Sequence, residues 1–185
     1  SKGHYLHVVY KISQLANDLT VYDSNANKIT GEHDNVGVAV SAEYGRKNVL
    51  SRGWYIEPQA LRTLGYLGGD SYQTSNGITV QQGGINSAVV RVGFNLGREI
   101  GNQANIYVKA NLLHEFGGGY DVTMADSGGN RFKAADDFID TWFEYGIGAA
   151  LKTGSNSHIY IDVERSSGSD FKKDWQWNAG ARWTF

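Results

Sequence analysis

The chain ends on a segment that restricts its fold more than any other, Trp175–Phe185 (WQWNAGARWTF). Counted backwards by twos, Phe185, Trp183, Ala181, Ala179, Trp177 and Trp175 are all apolar. The residues between them, Thr184, Arg182, Gly180, Asn178 and Gln176, are polar or small. Successive side chains of a strand point to opposite faces, so this strand has one apolar and one polar face. Aromatic rings sit near both ends of the apolar face, with small residues between them. A lipid-facing strand has this arrangement, with its rings at the two membrane interfaces.

No stretch of the 185 residues approaches the ~20 consecutive apolar residues of a spanning helix. With a mean hydropathy of -0.41, a hydropathy scan would read the chain as soluble. Strand-built membrane proteins escape such scans because each spanning segment is only half apolar. A net charge of -2 gives no electrostatic case for nucleic acid, and the absence of Cys excludes disulfides and thiolate metal sites. Ser1 opens the chain without a signal peptide, so the sequence reads as a mature form or a piece of something longer.

Period-two alternation recurs in eight segments, which predicts an all-β, antiparallel outer-membrane barrel wall across residues 1–185. The first places His4, Leu6, Val8, Tyr10 and Ile12 on the apolar side. The second uses Val36, Val38, Val40, Ala42 and Tyr44, and the third Trp54, Ile56, Pro58 and Ala60. The fourth uses Ala88, Val90, Val92, Phe94 and Leu96, and the fifth Ile106, Val108, Ala110 and Leu112. The sixth runs through Phe143, Tyr145, Ile147 and Ala149, the seventh through Ile159, Ile161 and Val163, and the C-terminal segment is the eighth. Two positions fit poorly. Arg62 falls on the apolar parity and Leu61 on the polar one, which predicts either a bulge or the membrane interface there. Pro58 cannot donate to a ladder and is unusual in a central strand.

Connection lengths alternate. Long, polar, turn-rich ones cover about Ala16–Asp34, Leu67–Gly83 and Gly117–Asp136; short ones cover about Arg46–Gly53, Arg98–Ala104 and Thr153–Ser157. The last, Ser166–Lys173, is intermediate. Outer-membrane barrels keep short turns in the periplasm and long loops outside, so a periplasmic C-terminus sorts every connection to its proper side. Trp54, Phe94, Trp183 and Phe185 then form a periplasmic aromatic girdle, and Tyr10, Tyr66, Phe116, Phe138 and Trp175 an outer one. Trp142 has inward parity and pattern alone gives it no role.

Five segments in order, GWYIEPQAL (53–61), GGDSYQTSNGITV (68–80), IYVKANLLHEF (106–116), IYIDVERSSG (159–168) and WQWNAGARWTF (175–185), resemble the translocator barrel of type Va autotransporters. The C-terminal strand matches that family's assembly signal at Asn178, Gly180, Trp183 and Phe185. The resemblance implies a Gram-negative outer-membrane location and export of an N-terminal passenger. Its implied partners are outer-membrane lipid, the passenger and linker, and the barrel-assembly machinery, which reads the signal; an unpaired strand edge is a template for such β-augmentation. It implies no cofactor and no turnover by the barrel. It also implies twelve strands around a linker helix, whereas this chain supplies eight, matching the last eight, and no linker helix. Either four strands are present but unseen, or the chain is shortened, or it is held partway through assembly. The alternative is a self-contained eight-stranded barrel with an adhesive or structural role, whose interior would be filled by side chains.

The expected lumen-facing set is Glu57, Gln59, Arg91, Lys109, Glu115, Glu144, Asp162, Glu164 and Arg182. It reads either as a hydrated path for a passenger or as interior ion pairs that let a barrel hold a polar interior. Some family members cut their linker with acidic lumen residues, and Glu57, Glu144 and Asp162 are the candidates here. His4 and His7 have opposite parity, and none of the five histidines has metal-ligand spacing. A rim hydrolase would have to use His33 with Asp34, or His114 with Glu115, and no G-x-S-x-G nucleophile motif accompanies them.

Overall fold

The structure is a computed structural model that describes residues 3–168 and 174–183, the side chains of Arg182 and Trp183 excepted. Among the described residues the chain is built from strands: β1 (His4–Tyr22), β2 (Lys28–Arg46), β3 (Asn48–Val49), β4 (Trp54–Leu67), β5 (Asp70–Gln73), β6 (Thr79–Gln82), β7 (Ile85–Ile100), β8 (Ala104–Glu115), β9 (Tyr120–Ala125), β10 (Arg131–Asp136), β11 (Asp140–Lys152), β12 (Ser157–Ser167) and β13 (Gln176–Trp183). The main sheet is an antiparallel meander in the order β1-β2-β4-β7-β8-β11-β12-β13, with β3 added to β4. The first seven alternating segments lie within these long strands, and β13 holds residues 176–183 of the eighth. A short helical turn, Ser51–Gly53, leads into β4.

Burial is inverted relative to a soluble sheet. Ile147 is 65% exposed and Trp177 70%, against 7% for Glu144 and Asp162. Among the described residues, buried polar side chains outnumber buried apolar ones, and no large side chain is fully enclosed. The register keeps one parity together from strand to strand, as in Tyr5↔Gly45, Gln59↔Gly93, Asn95↔Lys109, Gly146↔Glu164 and Asp162↔Asn178. Polar side chains on this face bond across an intervening strand, so their tips converge, as they do on the concave side of a curled sheet. The convex side is apolar and bare.

The loops differ from expectation. The stretch read as a connection from Ala16 to Asp34 is the continuation of β1 and β2, which stay paired as far as Tyr22↔Lys28. The next two long connections fold as hairpins, β5–β6 and β9–β10, which join into a second sheet in the order β10-β9-β6-β5. Turn composition marks where a chain reverses but carries no signal for the pairing of short polar strands beyond it.

Arg62 is in no bulge. The ladder runs unbroken through Ala42↔Arg62 on one side and Arg62↔Val90 on the other, and the side chain is exposed on the apolar face. Pro58 is explained by its position. It falls between the β2 pairing, which ends at Gly45↔Gln59, and the β3 pairing, which begins at Asn48↔Ile56. The Trp54 carbonyl accepts the Leu50 N–H at 2.7 Å, so even-numbered residues of β4 turn their backbone groups to this side. The missing N–H of Pro58 therefore faces a gap in the ladder and costs no bond.

Candidate functional site: the polar face of the main sheet

Three polar clusters line the concave face. The first joins β1, β2, β4 and β7. Tyr5 Oη donates to Glu57 Oε1 at 3.0 Å, and Gln59 Nε2 donates to Tyr5 Oη at 2.8 Å and to Glu57 Oε1 at 2.7 Å. Arg91 crosses over Leu61 to pair with Glu43, whose other oxygen lies 3.9 Å from His7 Nδ1. The second cluster joins β8, β12 and β13. Lys109 Nζ reaches Asp162 Oδ1 at 2.6 Å and Glu164 Oε2 at 2.8 Å, passing over Gly146. Asn178 Nδ2 donates to Asp162 Oδ1 at 3.0 Å, and Gln176 Nε2 to Asn178 Oδ1 at 3.0 Å. One ammonium thus serves two carboxylates, and an amide supplies a further donor.

The third cluster lies near the long-loop end. Glu115 accepts from Ser87 Oγ at 2.6 Å and from the backbone N–H groups of Ala88 at 2.7 Å and Gly117 at 3.0 Å. It ties β7 to β8 where the chain leaves the sheet. Trp142 Nε1 donates to Glu144 Oε1 at 3.1 Å, which gives this polar-face indole its partner.

Of the residues expected on the inner side, Glu57, Gln59, Arg91, Lys109, Glu115, Glu144, Asp162 and Glu164 lie together on this face. Arg182 shares their parity opposite His158, and its side chain is outside the described residues. Within the assembly signal, Asn178 belongs to the Lys109 cluster and Gly180 opposes Tyr160. The side chain of Trp183 and the whole of Phe185 lie outside the described residues.

Sequence reading missed Glu43 and a repeated aromatic fit. Tyr5, Tyr55, Tyr107 and Tyr160 stand on alternate long strands of the polar face, and each ring fills the space above a glycine on the next strand: Gly45, Gly97, Gly148 and Gly180. A Cβ at any of these glycines would collide with the ring. The recurrence of one inward Tyr per hairpin was the available signal.

The histidine–acid pairs do not assemble. His33 stacks on Tyr72 with ring centroids 4.8 Å apart. His114 Nδ1 lies 2.6 Å from Thr141 Oγ1 on the apolar face, while Glu115 points to the other side. Among the described residues, no three acidic or imidazole side chains are grouped to hold a metal.

Comparison with known proteins agrees with this geometry. The autotransporter beta-domain family model matches residues 1–164. The pertactin autotransporter of Bordetella parapertussis is 32% identical over an alignment covering 100% of this chain and 20% of its own length. The BrkA autotransporter of Bordetella pertussis is 26% identical, covering 99% of this chain and 18% of its length. The chain thus spans about a fifth of the length of these relatives. The crystal structure of the beta domain of BrkA superposes with a TM-score of 0.73 at 24% identity, covering 100% of this chain and 68% of that one. With an exposed apolar face, a buried polar face and a family match over most of its length, this chain belongs to the autotransporter beta-domain family and is an outer-membrane β-barrel translocator domain.

Proposed function

We propose that this chain forms the C-terminal eight strands of a larger barrel whose polar interior carries an N-terminal passenger outward. The long hairpins lie outside the cell, the short turns and C-terminus lie in the periplasm, and Glu57, Gln59, Arg91, Lys109, Glu115, Glu144, Asp162, Glu164 and Arg182 face the lumen. The chain's role is conduit and anchor, and any catalysis belongs to the passenger. The observation carrying this reading is the open sheet. Among the described residues β1 and β13, the first and last long strands, pair with one neighbour each, and the concave face between them is polar and buried. The 68% coverage of the BrkA domain is the share that eight of twelve strands would take. A self-closed eight-stranded barrel requires a β1–β13 ladder, and would have no room for a polypeptide.

The paired acids also bear on linker cleavage. Glu57 accepts hydrogen bonds from the neutral Tyr5 and Gln59, and Asp162 from Asn178 and its ion-pair partner Lys109, which suits a structural role better than proton transfer.

The free edge of β13 and the signal it carries would be the contact for the barrel-assembly machinery. The test is deletion of residues 176–185 in the full-length protein, with passenger at the cell surface and folded barrel in the outer membrane as readouts. Loss of both is expected, while normal surface passenger without this strand would overturn the proposal.

A further inference from the structure

Among the described residues, Arg62 is a cation of the apolar face for which no counter-charge is found; Arg46 and Arg98 share that face at the short-turn ends of β2 and β7, and Arg62 lies towards the long hairpins. Its side chain is exposed on the apolar face of β4, in line with Ala60, Leu64 and Tyr66, and continuous ladders on both sides prevent it from turning inward. Its outward-facing cross-strand neighbours are Ala42 and Val90, and the nearest residues on the same face, Val40, Tyr44, Ala60, Leu64, Ala88 and Val92, carry no charge; Glu43, next to Ala42, faces the other side and pairs with Arg91. Among the described residues no ion pair or hydrogen bond of its side chain is found. Arg165, also on the convex face, is different: it lies 4.0 Å from Asp174 Oδ1 and over the Trp175 ring. A spanning strand takes about nine to eleven residues, so from Trp54 the membrane ends near residues 62–64. Arg62 therefore sits at the boundary towards which β4 leads into the β5–β6 hairpin.

A second polar group shares this height. His114 lies in the same ladder row, one strand beyond Val90, and its Nδ1 is bonded to Thr141 Oγ1. With strands about 4.8 Å apart, Arg62 and His114 are roughly 10 Å apart at their backbones, with only Val90 between them. Guanidinium groups bind phosphate through two parallel N–H donors, and a lipid headgroup supplies phosphate at this depth. We propose that Arg62, with His114 beside it, binds a phosphate of a phosphorylated glycolipid in the outer leaflet. The leaflet rests on the orientation proposed above.

The test uses the full-length protein in detergent micelles, followed by native mass spectrometry with diphosphorylated lipid A as probe. The same lipid stripped of both phosphates, and inorganic phosphate as competitor, are run in parallel. The wild type is expected to retain diphosphorylated lipid A and not the stripped lipid, and equimolar inorganic phosphate should not displace it. Arg62→Leu is expected to lose about ten-fold in retained lipid, the effect of one charged hydrogen-bonding group, and Arg62→Lys to lose less. Leucine suits a lipid-facing site, so this variant should fold, as heat-modified gel migration will show; Arg62→Gln is the substitute if it does not. Unchanged lipid retention in the leucine or glutamine variant, equal retention of the stripped lipid, or displacement by inorganic phosphate would each overturn the proposal. Thiol labelling of Asn76→Cys on intact cells reports the orientation independently, so a reversed barrel is distinguishable from a barrel without this site.

Discussion

Lys109 is the residue on which the polar face depends most heavily. Its ammonium lies within 2.8 Å of two carboxylates on a strand two places away. Removing one partner of a confined ion pair leaves the other charge uncompensated, at a cost of about 3–5 kcal/mol. Lys109→Met should therefore lower the temperature at which the folded full-length protein converts to its heat-denatured gel form. The triple variant with Asp162→Asn and Glu164→Gln should recover most of that loss, and no recovery would mean that packing of the lysine stem, not charge, is what matters. The tyrosine–glycine fit gives a second test at this scale. Gly148→Ala drives a methyl group into the Tyr107 ring and should cost about 1–3 kcal/mol by the same assay. Tyr107→Ala should absorb most of that cost in the double variant, because the two positions share one space. Residue identities on the polar face were legible in the sequence because parity is a local property. Their partners were not, since Arg91 with Glu43 and Lys109 with Asp162 are chosen by register across strands far apart in sequence.

At the element scale, the hairpin tips share one geometry. Asp23 N–H donates to Asn27 O at 3.1 Å, Thr74 N–H to Ile78 O at 2.9 Å and Asp126 N–H to Asn130 O at 3.1 Å, each closing a three-residue loop. The residue before the closing one has positive φ in each, at Ala26, Gly77 and Gly129. Alanine is strained there and glycine is not, so Ala26→Gly should stabilise the β1–β2 tip by about 1 kcal/mol, seen as slower amide exchange at Asn25 and Asn27. The tips also differ in charge. The Asn27 side chain and backbone amides hold the Asp23 carboxyl below its usual range, and Asn130 does the same for Asp126. A depressed carboxylate stabilises the folded tip above the ordinary value of about 3.9, and that contribution disappears as pH falls through the folded value. Amide protection at Asn27 and Asn130 should therefore fall on acidification below about pH 4. The Thr74 tip, where Thr74 Oγ1 accepts the Ile78 N–H at 3.2 Å without a charge, should not respond. Equal loss at all three tips would show that acid acts on the hairpins as a whole. The turns themselves were visible in DSNAN, TSNGI and DSGGN. The second sheet was not, because β5, β6, β9 and β10 are short, and the β6–β9 pairing joins two hairpins far apart in sequence.

For the whole molecule, the arrangement is a curled wall with lipid outside and paired charges inside. The apolar C-terminal pattern pointed to a strand-built membrane protein, and the structure agrees, since a soluble sheet has no reason to expose Ile147, Ile161 and Trp177 together on one face. Among the described residues β1 and β13 each pair with one neighbour, and under the function proposed above further strands would complete the wall. The proposed orientation decides which side of the membrane the long hairpins and Arg62 face. The absence of Cys from the chain makes it directly measurable. Single cysteines at Ser24, Asn76 and Gly128, in the tips of the long hairpins, and at Asn102 and Ser155, in the short turns, would be probed in the full-length protein with a membrane-impermeant thiol reagent on intact cells. Labelling at the first three positions, and at the last two only after the outer membrane is opened, is the predicted result. Labelling of Asn102 and Ser155 on intact cells would contradict the account.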